Sequence, residues 1–92
     1  MIDNQIKYKA TNNQVSSTIS DATVILNHKE GIYYELNEVG SVIWELLKVK
    51  PITFYELKDL IINEFEVDES LADVDINRIL NELLDEKLVE IV

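Results

Sequence analysis

Hydrophobic spacing in this chain changes once, between Leu36 and Asn37, from every second residue to every third or fourth. Upstream, Ile32-Tyr33-Tyr34-Glu35-Leu36 alternates. A strand here places Ile32, Tyr34 and Leu36 on one face and Tyr33 and Glu35 on the other. Ala22-Thr23-Val24-Ile25-Leu26 is a second strand, ended by Asn27, and residues 14–20, small and β-branched, are a third. Asn27-His28-Lys29-Glu30-Gly31 joins the last two strands as a hairpin turn, with glycine where positive φ is needed. Residues 1–12 are polar and weakly patterned, expected to be flexible apart from a short strand at Ile6-Lys7-Tyr8, and Thr11-Asn12-Asn13 reads as a turn.

Downstream, the pattern is helical. Asn37 is an N-cap with Glu38 in the first turn, where negative charge is favoured. Val39, Val42, Ile43, Leu46 and Leu47 form a stripe with Trp44 beside it, and Pro51 ends this helix near Val49. Thr53 and Glu56 form a capping box for a second helix with the stripe Leu57, Leu60, Ile61 and Phe65. Asp68 or Ser70 caps a third, carrying Leu71, Val74, Ile76, Ile79, Leu80, Leu83 and Leu84 and ending near Lys87. Leu88-Val89-Glu90-Ile91-Val92 then leaves the helix and lies extended against the sheet. Strands followed by helices make an α+β fold. The expected architecture over residues 1–92 is one domain, a three-stranded antiparallel sheet followed by three helices, like a winged helix-turn-helix.

Composition removes whole classes of function. The 92 residues hold no cysteine, so disulfides, thiolate metal sites and cysteine nucleophiles are excluded. Eight basic residues face eighteen acidic ones, and Arg78 is the only arginine. Nucleic-acid binding needs cations to displace counterions, so it is disfavoured. No apolar stretch reaches the ~20 residues that span a bilayer. The polar start Met1-Ile2-Asp3-Asn4-Gln5 lacks the regions of a signal peptide, so a cytoplasmic protein is expected. The only glycines, Gly31 and Gly40, make no phosphate-cradling loop. His28, the only histidine, reads as a solvent-exposed turn residue rather than a catalytic group. Asp68, Glu69, Asp73 and Asp75 read as a solvated acidic face, because their spacing fits no calcium loop. No enzyme activity, cofactor or metal is expected. Trp44 reads as core, and Tyr33 as the aromatic best placed for partner contact.

The stretch Tyr33-Tyr34-Glu35-Leu36-Asn37-Glu38-Val39-Gly40-Ser41-Val42-Ile43-Trp44 resembles the signature of PqqD-like proteins: an aromatic strand, Leu-Asn, two residues, Gly, two residues, Ile-Trp. Thr53-Phe54-Tyr55-Glu56-Leu57 looks like that family's second-helix start. Asp75-Ile76, Ile79-Leu80, Leu83 and Leu88-Val89 look like its third helix and closing apolar pair. The resemblance runs from about residue 14 to the C-terminus, and physics agrees with it at Gly40. A glycine one turn into a helix costs up to about 1 kcal/mol relative to alanine, so a close approach is expected there.

The resemblance implies a non-catalytic peptide clamp. Such proteins bind the leader segment of a ribosomally made precursor as an added strand and present it to a maturation enzyme. That enzyme is either a cysteine protease that removes the leader, as in lasso-peptide pathways, or a radical SAM enzyme. The implied binding residues are Ile32, Tyr33, Tyr34, Glu35 and Leu36 on the edge strand, with Asp75, Arg78, Ile79 and Glu82 on the third helix. Two other readings compete. A winged-helix transcription protein would need a basic recognition helix, and the third helix is acidic around Arg78. A small structural subunit of an enzyme complex would not bind a short linear peptide.

Overall fold

The computed structural model describes residues 5–12, 14–27 and 30–92. The elements run β1 (Lys7–Ala10), β2 (Gln14–Ile19), β3 (Ala22–Asn27), β4 (Ile32–Leu36), α1 (Glu38–Val49), β5 (Ile52–Thr53), α2 (Phe54–Phe65), α3 (Glu69–Asp85) and β6 (Val89–Ile91). The class is α+β, with the expected antiparallel sheet in the order β2-β3-β4. A second antiparallel sheet, β5-β1-β6, was not expected. Two expectations are corrected by it. The C-terminal tail pairs with β1, Ala10 opposite Val89, and not with the larger sheet. The short strand expected at Ile6-Lys7-Tyr8 is present but shifted, at Lys7–Ala10, and it pairs on both sides as the central strand.

Caps and turns follow the residue chemistry. The Asn37 side chain accepts from the Gly40 amide at 2.9 Å. A Cβ on Gly40 would lie 3.1 Å from Leu36 Cδ2 and 3.3 Å from Asn37 Oδ1, the close approach that its position demands. The Thr53 hydroxyl accepts from the Glu56 amide, while the Glu56 carboxylate accepts from the Thr53 amide, each at 3.1 Å. Asp68 is the N-cap residue of α3, without a side-chain capping bond. Helix α3 stops two residues earlier than expected, in a Schellman turn: Lys87 adopts φ 59°, its amide donates to the Leu84 carbonyl, and the Leu88 amide donates to the Leu83 carbonyl. That turn aims Leu88 and Val89 back into the core. In the β3–β4 turn Gly31 has φ +67°, and its amide donates to the Asn27 carbonyl at 2.8 Å. Asn13, His28 and Lys29 lie outside the described residues.

One apolar core joins both sheets to the helices. Ile25 and Leu36 enter it from the larger sheet, and Ile52, Ala10 and Val89 from the smaller. Helix α1 contributes Ile43, Trp44 and Leu47, α2 contributes Leu57 and Ile61, and α3 contributes Ile76, Ile79, Leu80 and Leu83. Trp44 is fully buried, and its indole N–H has no hydrogen-bond partner among the described residues, so packing alone fixes it. Three residues read as core from their spacing, Leu60, Leu71 and Val74, are exposed. Leu71 precedes Leu80 by nine residues, and Val74 precedes Leu83 by nine. Nine residues are two and a half helical turns, so each pair points to opposite sides of α3.

Candidate functional site

Strand β4 is an edge strand: β3 pairs with it on one side, and no described element pairs on the other. Which of its amides face outward follows from the neighbouring turn. Ser20 and Asp21 link the paired residues Ile19 and Ala22 in a two-residue turn with Ser20 at φ 56°. Such a turn closes with the Ala22 amide donating to the Ile19 carbonyl. Backbone groups alternate sides along a strand. In β3 those of Ala22, Val24 and Leu26 therefore face β2, and those of Thr23, Ile25 and Asn27 face β4. Their partners are Leu36, Tyr34 and Ile32. The N–H and C=O groups of Tyr33 and Glu35 are left pointing out from the edge, two donors and two acceptors in line. Proline, lysine and bulges are absent from this strand, and Glu35 is its one charged residue.

Helix α3 runs beside this edge. Between them lies a groove of about 270 Å³, lined by Ala22, Tyr34, Glu35, Leu36, Asn37, Arg78, Ile79 and Glu82. Leu36 and Ile79 are buried and form its floor. The Tyr34 hydroxyl, from the inward face of β4, donates to the Glu82 carboxylate. Arg78 sits 3.3 Å from the same carboxylate, one turn away on α3. Burial and this bond to Glu82 together push the Tyr34 phenol well above its ordinary range. The bond from Tyr34, with that from Arg78, holds the Glu82 carboxyl below its usual range. At neutral pH the strap is therefore a neutral phenol donating to an anion, the stronger kind of hydrogen bond. The volume is below the roughly 300–1,000 Å³ of small-molecule pockets. The slot is open and lies beside the outward backbone groups of Tyr33 and Glu35.

Six of the nine residues singled out from the sequence, Tyr34, Glu35, Leu36, Arg78, Ile79 and Glu82, line this one groove. Ile32 and Tyr33 lie farther along the same edge, both exposed. Asp75 is exposed one turn from Arg78 and does not line the groove. Two residues lining the groove, Ala22 and Asn37, were missed. Ala22 and Asn37 read only as a strand start and a helix cap. Leu71 and Val74, assigned to the core, are 60% and 64% exposed. Their spacing to Arg78, seven and four residues, puts them on its side of α3, though they do not line the groove. A larger hollow of about 340 Å³ between α1, the end of α2 and the β2–β3 turn contains none of the predicted residues. Among the described residues, no group of three or more acidic or histidine side chains is placed to hold a metal, and no helix is long and apolar enough to cross a membrane.

Comparison with known proteins bears on the fold and the family. Among solved structures, TbiB1 in complex with the TbiA(beta) leader peptide is 35% identical and superposes with a TM-score of 0.78, covering 89% of this chain and 94% of that one. Lasso peptide synthetase B1 complexed with the leader peptide shares the fold at 18% identity, with a TM-score of 0.76 over 90% of this chain and 96% of that one. No curated protein matches the chain. The family model of coenzyme PQQ synthesis protein D (PqqD) matches residues 22–89, from the first residue of β3 into β6 and across the whole groove, and the chain belongs to that family.

Proposed function

We propose that this protein binds the leader segment of a ribosomally synthesised precursor peptide as an added strand on β4, and presents it to a maturation enzyme without catalysing a step itself. The observation that carries the reading is the unblunted β4 edge, with the outward backbone groups of Tyr33 and Glu35, set beside a strapped groove. Main-chain bonds to these groups supply affinity, and side chains turned toward Leu36, Arg78 and Ile79 supply specificity. The similarity to TbiB1, itself bound to a leader peptide, supports the same reading. The preferred maturation enzyme is a leader-removing cysteine protease of a lasso-peptide pathway, with a radical SAM enzyme next.

Calorimetry with the synthetic leader tests it. A Kd of about 1 μM or tighter, roughly -8 kcal/mol or beyond, is expected. The heat-capacity change should be negative, because apolar surface is buried. Equal affinity for a scrambled leader overturns specific recognition.

A further inference from the structure

Strand β2 is the other edge of the larger sheet, and it too lacks the devices that prevent pairing. Its residues Gln14–Ile19 pair with β3 in unbroken register, so the strand has no bulge. None of them is proline, and none is charged in a chain of net charge -10. The groups of Ala22, Val24 and Leu26 face β2, and their partners there are Ile19, Ser17 and Val15. The backbone N–H and C=O groups of Gln14, Ser16 and Thr18 therefore point out from this edge. No described element pairs with them.

Helix α1 runs beside β2 in the opposite direction. The Thr18 hydroxyl donates to the Glu45 carboxylate at 3.4 Å, and the Lys48 ammonium donates to the Ser16 hydroxyl at 3.3 Å. The two ends of the edge differ in charge. At the Thr18 end lies the hollow of about 340 Å³, whose lining includes Asp21, Glu38, Glu45 and Glu64 and no cation. At the Gln14 end lies another of about 280 Å³, whose lining includes Lys9 and Lys48 and no carboxylate. A strand that fits this edge pairs along Gln14, Ser16 and Thr18, brings cations to one end and brings carboxylates to the other.

A second copy of this chain meets all three requirements. Antiparallel pairing of β2 with itself, about a two-fold axis at Ser16, sets Thr18 opposite Gln14 of the second copy, and Gln14 opposite its Thr18. The carboxylate-lined hollow of each copy then faces the lysine-lined hollow of the other. Glu45 and Lys48, within one copy a loose exposed pair at 3.6 Å, each gain the opposite charge across the axis. Parallel pairing would bring like ends together. We infer that this protein forms a two-fold dimer through β2, with one continuous sheet in the order β4-β3-β2-β2-β3-β4. Both β4 edges stay free, at opposite ends of that sheet. The inference does not depend on the leader-binding reading.

Sedimentation of the purified chain tests it. The wild type should run as a dimer that dissociates on dilution. Ser16→Pro removes an outward N–H at the axis that no bond within the chain uses. Glu45→Lys and Lys48→Glu each set like charges against one another across the axis. All three variants should keep the folded circular-dichroism spectrum and raise the dimer dissociation constant about tenfold or more. Mixing Glu45→Lys with Lys48→Glu restores opposite charges at both contacts and should restore the dimer. The charge variants read the same contact if Ser16→Pro fails to fold. A wild type that stays monomeric up to about 1 mM overturns the inference. So does a dimer that a folded Ser16→Pro leaves intact, or a mixture of the two charge variants that stays monomeric.

Discussion

Tyr34 on β4 donates its phenolic hydrogen to Glu82 on α3, so the edge strand and the helix that wall the groove are tied by one side-chain bond. Neither partner is deeply buried, and Arg78, which shares the Glu82 carboxylate, is about half exposed. Screening makes the Arg78–Glu82 pair a minor contributor to stability. The bond from Tyr34 matters more, because it sets the distance between strand and helix before any peptide arrives, and preorganisation reduces the ordering cost of binding.

Removing that hydroxyl isolates its contribution. Tyr34→Phe keeps the packing of the ring and deletes only the bond. It should cost about 1 kcal/mol, lowering the melting temperature by about 4–8 °C. Tyr33→Phe, on an exposed ring of the same strand, should leave melting unchanged. Equal melting of the two variants would show that the strap contributes nothing.

The strap also has a pH window. Glu82 is depressed below its ordinary value of 4.5. Its stabilisation is therefore full above that value and lost as pH falls through the depressed folded-state value. Glu56, held down by its bonds with Thr53 in the α2 capping box, adds loss in the same direction. Tyr34 is raised above its ordinary 10.0, so its contribution is full below that pH and fades as pH rises beyond it. Melting temperature should be flat near neutrality and fall on acidification below about pH 4.5. Glu82→Gln should shrink the acid-side fall, measured by thermal scans at pH 7 and pH 3.

Much of this was legible because local rules and global packing agree in this chain. Asn37, Thr53 with Glu56, and Gly31 stand where a cap, a capping box and a positive-φ turn are required, and each makes the expected bond. The alternation of Ile32 to Leu36 gave the faces of β4 correctly. The smaller sheet was not legible. Strand β5 has two residues, and β1, though read as a short strand at Ile6-Lys7-Tyr8, has too weak a pattern to name its partners, so their pairing comes from tertiary context. Leu71 and Val74 were misplaced for a different reason. Helical spacing reports that residues are apolar and periodic, but one helix can carry two apolar stripes, one buried in the core and one exposed.

That second stripe gives a prediction of its own. Leu71→Ser and Val74→Ser remove apolar surface that is mostly exposed in the unbound protein. Stability should shift by no more than about 0.5 kcal/mol. Leader affinity should fall by about 1–2 kcal/mol each, or roughly five- to thirtyfold in Kd. Calorimetry and melting on the same samples separate the two effects. Unchanged affinity would confine the peptide to the slot beside Tyr34 and Leu36.

The direction of the β4 amides supports a proline scan whose outcome differs from one residue to the next. Proline lacks the N–H, and its ring fits an edge strand when that N–H was unused. Tyr33 and Glu35 are two residues apart, so their amides point the same way, out from the edge. The Tyr34 amide points back to Ile25, its partner on β3. Tyr33→Pro and Glu35→Pro should therefore keep the folded circular-dichroism spectrum and melt near wild type, while losing leader binding by about tenfold or more, as expected for a main-chain bond that the peptide can no longer make. Tyr34→Pro should melt well below wild type, since it removes a ladder bond from the hairpin and the strap to Glu82 together. Glu35→Ala, which changes the side chain and keeps the amide, should bind nearly as wild type and so separates backbone from side-chain effects. If Tyr33→Pro and Glu35→Pro both stay folded and bind leader normally, β4 is not the docking edge. The other exposed edge of the same sheet, β2, then becomes the strand to probe.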